Sequence, residues 1–233
     1  MLLRTTPLTR IPYSEALDLQ RALARARISG AIAEDVLLLV EHPPVVTLGR
    51  TAKAANLTAP TALLEARGVE VFEVERGGDI TFHGPGQLVG YPIIDLKRHK
   101  QDLHWYLRQV EAALISLLAA YGVPGERSEG YTGVWTGGRK IASIGVHARD
   151  WVTWHGFALN VSTDLSFFDL IVPCGIQDVV MTSVARETSR SDLVLADVAV
   201  EAERAFGETF GLEVRRVSVD WLASQAEAVK AKS

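Results

Sequence analysis

The pattern of apolar and polar residues predicts short strands and helices that follow one another along the chain. Apolar runs of strand length, some of them alternating with polar residues, stand between turn-forming residues. In the first half these predicted strands are DVLLLVEH (35–42), PVVTLGR (44–50), VEVFEVER (69–76) and LVGYPIIDL (88–96). Pro43-Pro44 separates the first two and predicts a turn or bulge there, since proline cannot donate to a strand ladder.

Four segments have the spacing of apolar residues that is typical of helices. They cover residues 14–30, 61–68, 101–122 and 192–211. Ser14 is the expected N-cap of the first helix, and Gly30 is expected to end it. The longest helix carries one apolar stripe, formed by Leu103, Leu107, Val110, Leu114 and Leu117.

The second half of the chain predicts a run of three strands within residues 130–162. Gly137-Gly138 predicts a tight hairpin between the first two, and Arg149-Asp150 predicts the next turn. A short helix or turn is expected over 163–168, before the loop that carries Cys174. This mixed order favours an α/β (α+β) fold with a largely antiparallel sheet, and we expect a single domain over 1–233.

Composition narrows the functional classes. The 233 residues are 48% hydrophobic and 22% charged, which suits a globular core, and the formal net charge is −4. A nucleic-acid-binding protein would be expected to be basic, so we predict no nucleic-acid partner. No apolar run reaches membrane-span length, and the first 20 residues contain neither a continuous apolar segment nor a small-residue cleavage site, so no leader sequence is predicted. One cysteine cannot form an internal disulfide. We therefore expect a soluble cytoplasmic protein without a membrane partner.

The most unusual segment is ERGGDITFHGPGQLVGYPIIDL, residues 75–96, which is rich in glycine. It lacks both the GxGxxG dinucleotide motif and the GK[ST] of a P-loop. One interpretation is two turns around a short strand. The other is a narrow groove in which glycines let a long apolar ligand approach the backbone, while Arg76 and His83 hold its polar end.

Cys174 and Lys140 are the candidate reactive groups, and each has an ordinary alternative. A single cysteine is often a small buried hydrophobe, and a lysine beside a hairpin is often solvated. Pro173 and Gly175 place Cys174 on a constrained turn, where the following amide is a candidate oxyanion donor. A thiol needs an activator near neutral pH; the residues themselves leave Lys140, His83 and His155 as possible bases.

Three segments resemble the octanoyltransferase family, also called lipoyl(octanoyl) transferase or lipoate–protein ligase B. They are RGGDITFHGPGQLVGYPIIDL, GRKIASIGVHARDWVTWHGFALNVSTDLSFFDLIVPCGI and MTSV, and the similarity spans about 35–185. The family often has tyrosine where this chain has Phe82, and Trp154 precedes His155; neither difference touches the expected chemistry. The resemblance implies a mixed sheet flanked by helices, as in the catalytic domain of biotin- and lipoate-protein ligases.

The same resemblance implies the site. It implies that Cys174 and Lys140 are the catalytic pair. The implied substrate-binding residues are Arg76, Gly77, Gly78, Asp79, Ile80, Thr81, Phe82, His83, Ser143, Ile144, Gly145, Gly156, Phe157 and Ala158.

The implied reaction moves an octanoyl group from octanoyl-acyl carrier protein to a specific lysine through a thioester on the cysteine. The implied acceptors are lipoyl domains of 2-oxoacid dehydrogenases and the glycine cleavage H protein, and no cofactor or metal is expected. An ATP-dependent lipoate ligase of the same fold and a non-catalytic lipoyl or acyl-carrier binding module are the alternatives. For an acidic carrier protein, the expected docking surface is Lys97-Arg98-His99-Lys100, with Arg21, Arg25 and Arg27 as further candidates.

Overall fold

The computed structural model describes residues 1–6, 9–218, 220–222 and 224–225. Within them the strands are β1 (Leu2–Thr5), β2 (Thr9–Arg10), β3 (Asp35–Glu41), β4 (Val45–Leu48), β5 (Glu70–Glu73), β6 (Ile80–His83), β7 (Gln87–Ile93), β8 (Gly133–Thr136), β9 (Arg139–Arg149), β10 (Val152–Asn160) and β11 (Glu213–Arg216). The α-helices are α1 (Tyr13–Ile28), α2 (Thr61–Ala66), α3 (Leu103–Ala120), α4 (Val184–Thr188) and α5 (Leu195–Phe210).

Two sheets form the framework. The larger runs in the order β11-β1-β3-β7-β10-β9-β8, and β2 pairs with β3. Its centre, from β3 through β8, is antiparallel, whereas β1 pairs in parallel with both β3 and β11. The smaller sheet has the order β5-β4-β6.

Helices cover the larger sheet on both faces. On one face, α3 and α5 pack against each other, and their apolar residues join those of Leu88, Phe157 and Leu159. On the other face, α1 packs against β7 and β10, where Val89 and Ala158 lie. The smaller sheet forms its own core with the segment that precedes Cys174. The space between the α1 face and β6 is the location of the cleft described below.

The predicted fold class is confirmed: the sheet is mixed and largely antiparallel, and helices flank it. The predicted hairpins of the second half are also present as β8, β9 and β10. The N-cap prediction was wrong, because α1 begins at Tyr13 after Pro12 and Ser14 lies within the helix. In α3 the predicted apolar stripe is buried at Val110, Leu114 and Leu117, but Leu103 in the first turn is exposed.

Candidate active site

A cleft of about 210 Å³ lies between the α1 face of the larger sheet and strand β6. It contains all the residues expected at the site except Gly77 and Phe82. Gly77 instead donates its N–H to the Val146 carbonyl at 2.8 Å, which joins the glycine-rich segment to β9. The ring of Phe82 stacks on Phe167, with 4.7 Å between ring centroids, and lies in the core of the smaller sheet.

The side chains of Lys140 and Cys174 are in direct contact at one side of this cleft. Lys140 Nζ donates to Cys174 Sγ at 3.1 Å, although the two residues are 34 positions apart in sequence. Ser143 Oγ lies 3.9 Å from the same sulfur. Lys140 is only 1% exposed, so the alternative of a solvated hairpin lysine is wrong. Lys140 Nζ also lies 4.8 Å from the ring centroid of Trp135, within the range over which a protonated amine makes a cation–π contact.

An irregularity in the β8–β9 pairing explains why Lys140 points toward the cysteine. Val134 pairs with Ala142 whereas Trp135 pairs with Lys140, so β9 carries one extra residue, Ile141. In a regular strand, Lys140 and Ser143 would point to opposite faces, because side chains alternate. The bulge rotates the strand by one position and places both residues at the cleft.

Gly133 provides the room for the lysine stem. A Cβ at this position would lie 2.7 Å from the Ala142 carbonyl and 3.0 Å from Lys140 Cε. Its backbone φ of 145° is also one that L side chains rarely adopt. The strand opposite Lys140 therefore requires glycine for both reasons.

The turn that holds Cys174 is itself held by hydrogen bonds. Cys174 has φ of 57°, which is uncommon for a residue other than glycine, and Gly175 follows with φ of 66°. A Cβ on Gly175 would lie 2.5 Å from Asp79 Oδ2, the atom that accepts a 2.6 Å hydrogen bond from Asn56. The Gly175 N–H donates to the Val172 carbonyl at 3.0 Å. This amide is already engaged, which argues against its predicted role as an oxyanion donor.

Arg76 brings a positive charge to the cleft wall. Its guanidinium donates to the Thr47 carbonyl at 2.6 Å, to Thr47 Oγ1 at 2.8 Å and to the Gly77 carbonyl at 3.1 Å. The side chain is buried, and no carboxylate of the described chain lies within ion-pair distance of it. Burial lowers the pKa of Arg76, but a guanidinium stays protonated in proteins. Its charge is therefore available to a polar group of a ligand.

A chain of amide groups sets the tautomer of His83. Asn160 Nδ2 donates to the Thr182 carbonyl at 3.0 Å, so Asn160 Oδ1 is free to accept from Gln87 Nε2 at 2.9 Å. Gln87 Nε2 also donates to the Phe82 carbonyl at 3.2 Å. Gln87 Oε1 therefore faces His83 Nδ1 at 2.9 Å, and this nitrogen must carry the proton. His83 Nε2 is left with its lone pair.

The two histidines considered as bases are poorly suited to that role. Burial lowers the pKa of His83 to about 3, with a further contribution from nearby His42. Burial also lowers the pKa of His155. A general base is most effective when its pKa lies near the working pH. Among the three candidates, only Lys140 has a hydrogen bond to the sulfur in the described structure.

Several cleft residues escaped the sequence analysis. Tyr13 at the start of α1 and residues 130–132 before β8 line the cleft, as do Val89 and Tyr91 of β7. Val89 and Tyr91 lie within the glycine-rich segment that the sequence analysis identified, so their position in that segment could have indicated that they line the cleft. Tyr13 gave none, because it is 63 positions before Arg76 and begins an ordinary amphipathic helix.

The expected docking run is largely engaged within the fold. Lys97 lies 3.9 Å from Asp95, Lys100 lies 3.1 Å from Asp102, and the buried His99 side chain bonds Asp35 at 2.8 Å. The Arg98 guanidinium donates to the Ala33 carbonyl. Lys97, Arg98 and Lys100 are exposed, and their exposed parts are the portion of this run that remains available to a partner.

The three arginines of the alternative docking group on α1 lie in different environments. Arg21 forms a two-pronged ion pair with Glu75, and Arg27 is buried against Asp35, but Arg25 is exposed.

Neither a metal cluster nor a membrane span occurs in the described part of the chain. It contains no group of three or more His, Cys, Asp or Glu side chains arranged to hold a metal ion. None of its described helices has both the length and the apolar character needed to cross a bilayer.

Residues 12–207 match the family described as "Lipoyl protein ligase A/B catalytic domain". Curated relatives named octanoyltransferase are similar over most of the chain. The relative from Rubrobacter xylanophilus is 54% identical over 202 residues, which is 86% of this chain and 90% of that protein. The relative from Acidobacterium capsulatum is 49% identical over 241 residues, covering 97% of this chain and 96% of that protein.

Solved structures share the fold at low sequence identity. Lipoate-protein ligase A bound with ATP has a TM-score of 0.76 and 19% identity, over 100% of this chain and 96% of that one. Protein Ta0514 from T. acidophilum, a lipoate protein ligase homologue with bound lipoic acid, has a TM-score of 0.78 and 18% identity, over 100% and 95%. Biotin protein ligase from Aquifex aeolicus has a TM-score of 0.52 and 14% identity, over 90% and 70%.

Proposed function

Because this chain belongs to the lipoyl protein ligase A/B catalytic-domain family, with curated relatives that are octanoyltransferases, we propose that it transfers an octanoyl group through a thioester on Cys174. The donor is octanoyl-acyl carrier protein, and the acceptor is a specific lysine of a lipoyl domain. The observation that carries the proposal is the 3.1 Å contact between Lys140 Nζ and Cys174 Sγ in the cleft. We refer to these two residues as the reactive pair.

The first half-reaction exchanges one thioester for another. Lys140, as the neutral amine, takes the proton of the Cys174 thiol, and the thiolate attacks the carbonyl carbon of the donor thioester. When the tetrahedral intermediate collapses, the bond from this carbon to the donor sulfur breaks. The departing donor thiolate takes the proton back from Lys140. A thioester replaces a thioester, so no ATP is needed to activate the acyl group.

The second half-reaction forms the amide. The amine of the acceptor lysine attacks the Cys174 thioester, the carbon–sulfur bond breaks, and the amine proton passes through Lys140 to the departing sulfur. Arg76 would hold a polar group of the acyl donor near Gly145, since an added Cβ on Gly145 would lie 3.5 Å from Arg76 Nη1. The acceptors proposed are lipoyl domains of 2-oxoacid dehydrogenases and the glycine cleavage H protein.

An ATP-dependent ligase is the second candidate, since lipoate-protein ligase A bound with ATP has the same fold. Adenylate chemistry would not require the cysteine. ATP dependence of product formation separates the two reactions. A binding module would need neither member of the reactive pair, although the fold keeps a lysine buried against the only cysteine.

The test is intact mass spectrometry after incubation with octanoyl-acyl carrier protein and no ATP. We expect one octanoyl adduct that hydroxylamine removes; because Cys174 is the only cysteine, no mapping is needed to assign the thioester. Cys174→Ser should lose transfer to a lipoyl domain, since a hydroxyl is a poorer nucleophile at neutral pH. Transfer at the wild-type rate by Cys174→Ala would refute the acyl-enzyme mechanism, and product that forms only with ATP would favour the ligase.

A further inference from the structure

Three of the aromatic rings that line the cleft form a cluster. They belong to Tyr13, His83 and Tyr91, and we call them the ring wall. The ring of Tyr13 stacks on that of His83, with 6.0 Å between centroids and 10° between planes. All three side chains are at most 7% exposed.

The register of the larger sheet gives the position of the ring wall relative to the sulfur. Ser143 of β9, beside Cys174 Sγ, pairs with Ala158 of β10, which in turn pairs with Val89 of β7. These three residues form the floor of the cleft in a row across three strands. The ring wall stands over β7, on both sides of Val89.

Two residues of β7 place the ring wall there. Tyr91 is two positions after Val89 and shares its face. Gln87 is two positions before Val89 and holds the His83 ring through the 2.9 Å hydrogen bond. The end of the cleft therefore lies over β7, two strand spacings from β9, where the Cys174 sulfur lies.

Hydrogen bonds keep the ring wall in place. His42 Nδ1 donates to the Ile11 carbonyl at 2.8 Å, so its Nε2 must accept from the Tyr91 hydroxyl at 2.7 Å. The His42 ring also contacts Tyr13 edge-on, with 5.3 Å between centroids. Each ring is thus held from behind by a buried residue.

The ring wall is uncharged at neutral pH. Burial lowers the pKa of His83 to about 3 and raises the pKa of Tyr13 to about 12. Burial also raises the pKa of Tyr91. An alkyl end that reaches these rings therefore meets neutral aromatic groups, which suit an apolar chain. This places His83 at the apolar end of the ligand, and not at the polar end where the sequence analysis expected it beside Arg76.

We propose that the ring wall sets the length of the acyl chain by stopping it at about eight carbons. Adjacent strands lie about 4.8 Å apart, so the distance across the floor from β9 to β7 is about 10 Å. An extended covalent chain advances about 1.2 Å per bond, so the carbon–sulfur bond and the seven carbon–carbon bonds of an octanoyl thioester span about 10 Å. An octanoyl group attached to Cys174 therefore fills this distance, whereas two further methylenes meet the rings.

This inference rests on the proposed thioester chemistry, and its test is designed to separate the two. The measurement is the rate of Cys174 acylation by hexanoyl, octanoyl, decanoyl and dodecanoyl thioesters of N-acetylcysteamine, followed by intact mass. For the wild type we expect decanoyl and dodecanoyl donors to react at least about tenfold more slowly than octanoyl. Tyr13→Ala and Tyr91→Ala should open the end of the cleft and bring the decanoyl rate to within about threefold of the octanoyl rate. Tyr121→Ala, the same change at a half-buried tyrosine outside the cleft, should keep the wild-type profile.

The outcomes are distinct. Equal rates for all chain lengths in the wild type would overturn the length limit without any variant. An octanoyl preference that survives in both folded wall variants, as judged by their melting temperatures, would overturn the role of the ring wall. If no donor acylates the wild type, the proposed function fails, whatever the variants do.

Discussion

The replacement of Lys140 by methionine is the sharpest test of the reactive pair. Methionine keeps the length and the apolar stem of the side chain, which is 1% exposed in the structure, and removes only the amine. The Lys140→Met protein should therefore fold. Its free energy of unfolding should be unchanged or higher, since a buried amine without a carboxylate partner is costly to desolvate.

The size of the expected loss follows from the Nζ–Sγ distance of 3.1 Å. At an effective dielectric constant of about 20, unit charges at this distance attract each other by about 5 kcal/mol. If that attraction stabilises the thiolate during attack, its removal costs up to about four powers of ten in rate. This agrees with the loss of about 10²- to 10⁴-fold that is typical when a general base is removed.

The assay measures each half-reaction separately. Acylation of Cys174 is followed by intact mass, and transfer from the isolated acyl-enzyme to a lipoyl domain is followed by the mass of the acceptor. Lys140→Met should slow both, because the same amine moves the proton in both directions. Lys53→Met is the matched control, since Lys53 is exposed and is not among the residues that line the cleft. A Lys140→Met enzyme that keeps the wild-type rate in both half-reactions would refute the assignment of the base.

Gly78→Val should block acylation, but it should also destabilise the protein by about 1–3 kcal/mol, because Gly78 has φ of 87°; normal acylation by this variant would remove Gly78 from the groove. The free energy of unfolding should fall as the pH drops from 6.5 to about 4, since burial lowers the pKa of His42 to about 4 and the unfolded chain binds the proton first. This histidine alone contributes about 3 kcal/mol of that loss, and a denaturant titration at each pH measures whether His42→Gln flattens the profile. Reversal of Lys97 and Lys100 to glutamate should slow acylation by the carrier-bound donor but not by a small octanoyl thioester. Equal slowing with both donors would contradict docking at this surface.

Much of the secondary structure could be read from local patterns. The strands β3, β4 and β8 to β10 and the helices α3 and α5 lie within segments predicted from apolar spacing and turn residues, and β7 and α1 each begin one residue before their predicted segments. These signals are local, because the periodicity of apolar side chains in a helix or a strand is visible within a few consecutive residues. The N-terminal strand β1 was not predicted, since it depends on pairing with β11 more than 200 residues later, and no local pattern encodes that partner.

The sequence by itself determined the kind of chemistry that the chain carries. The order of the arginine–glycine, lysine and cysteine motifs identified the family and predicted its site residues, because these motifs are contiguous stretches of sequence. Only the tertiary structure decided the direction of Lys140, since the bulge at Ile141 turns a side chain that regular alternation would send to the other face. It also decided which bases are available, because burial holds His83 neutral while the fold brings Lys140 to the sulfur. The position of Tyr13 is a third such feature: this residue reaches the cleft from α1 by packing between distant segments, and desolvation and distance depend on that packing rather than on the order of residues.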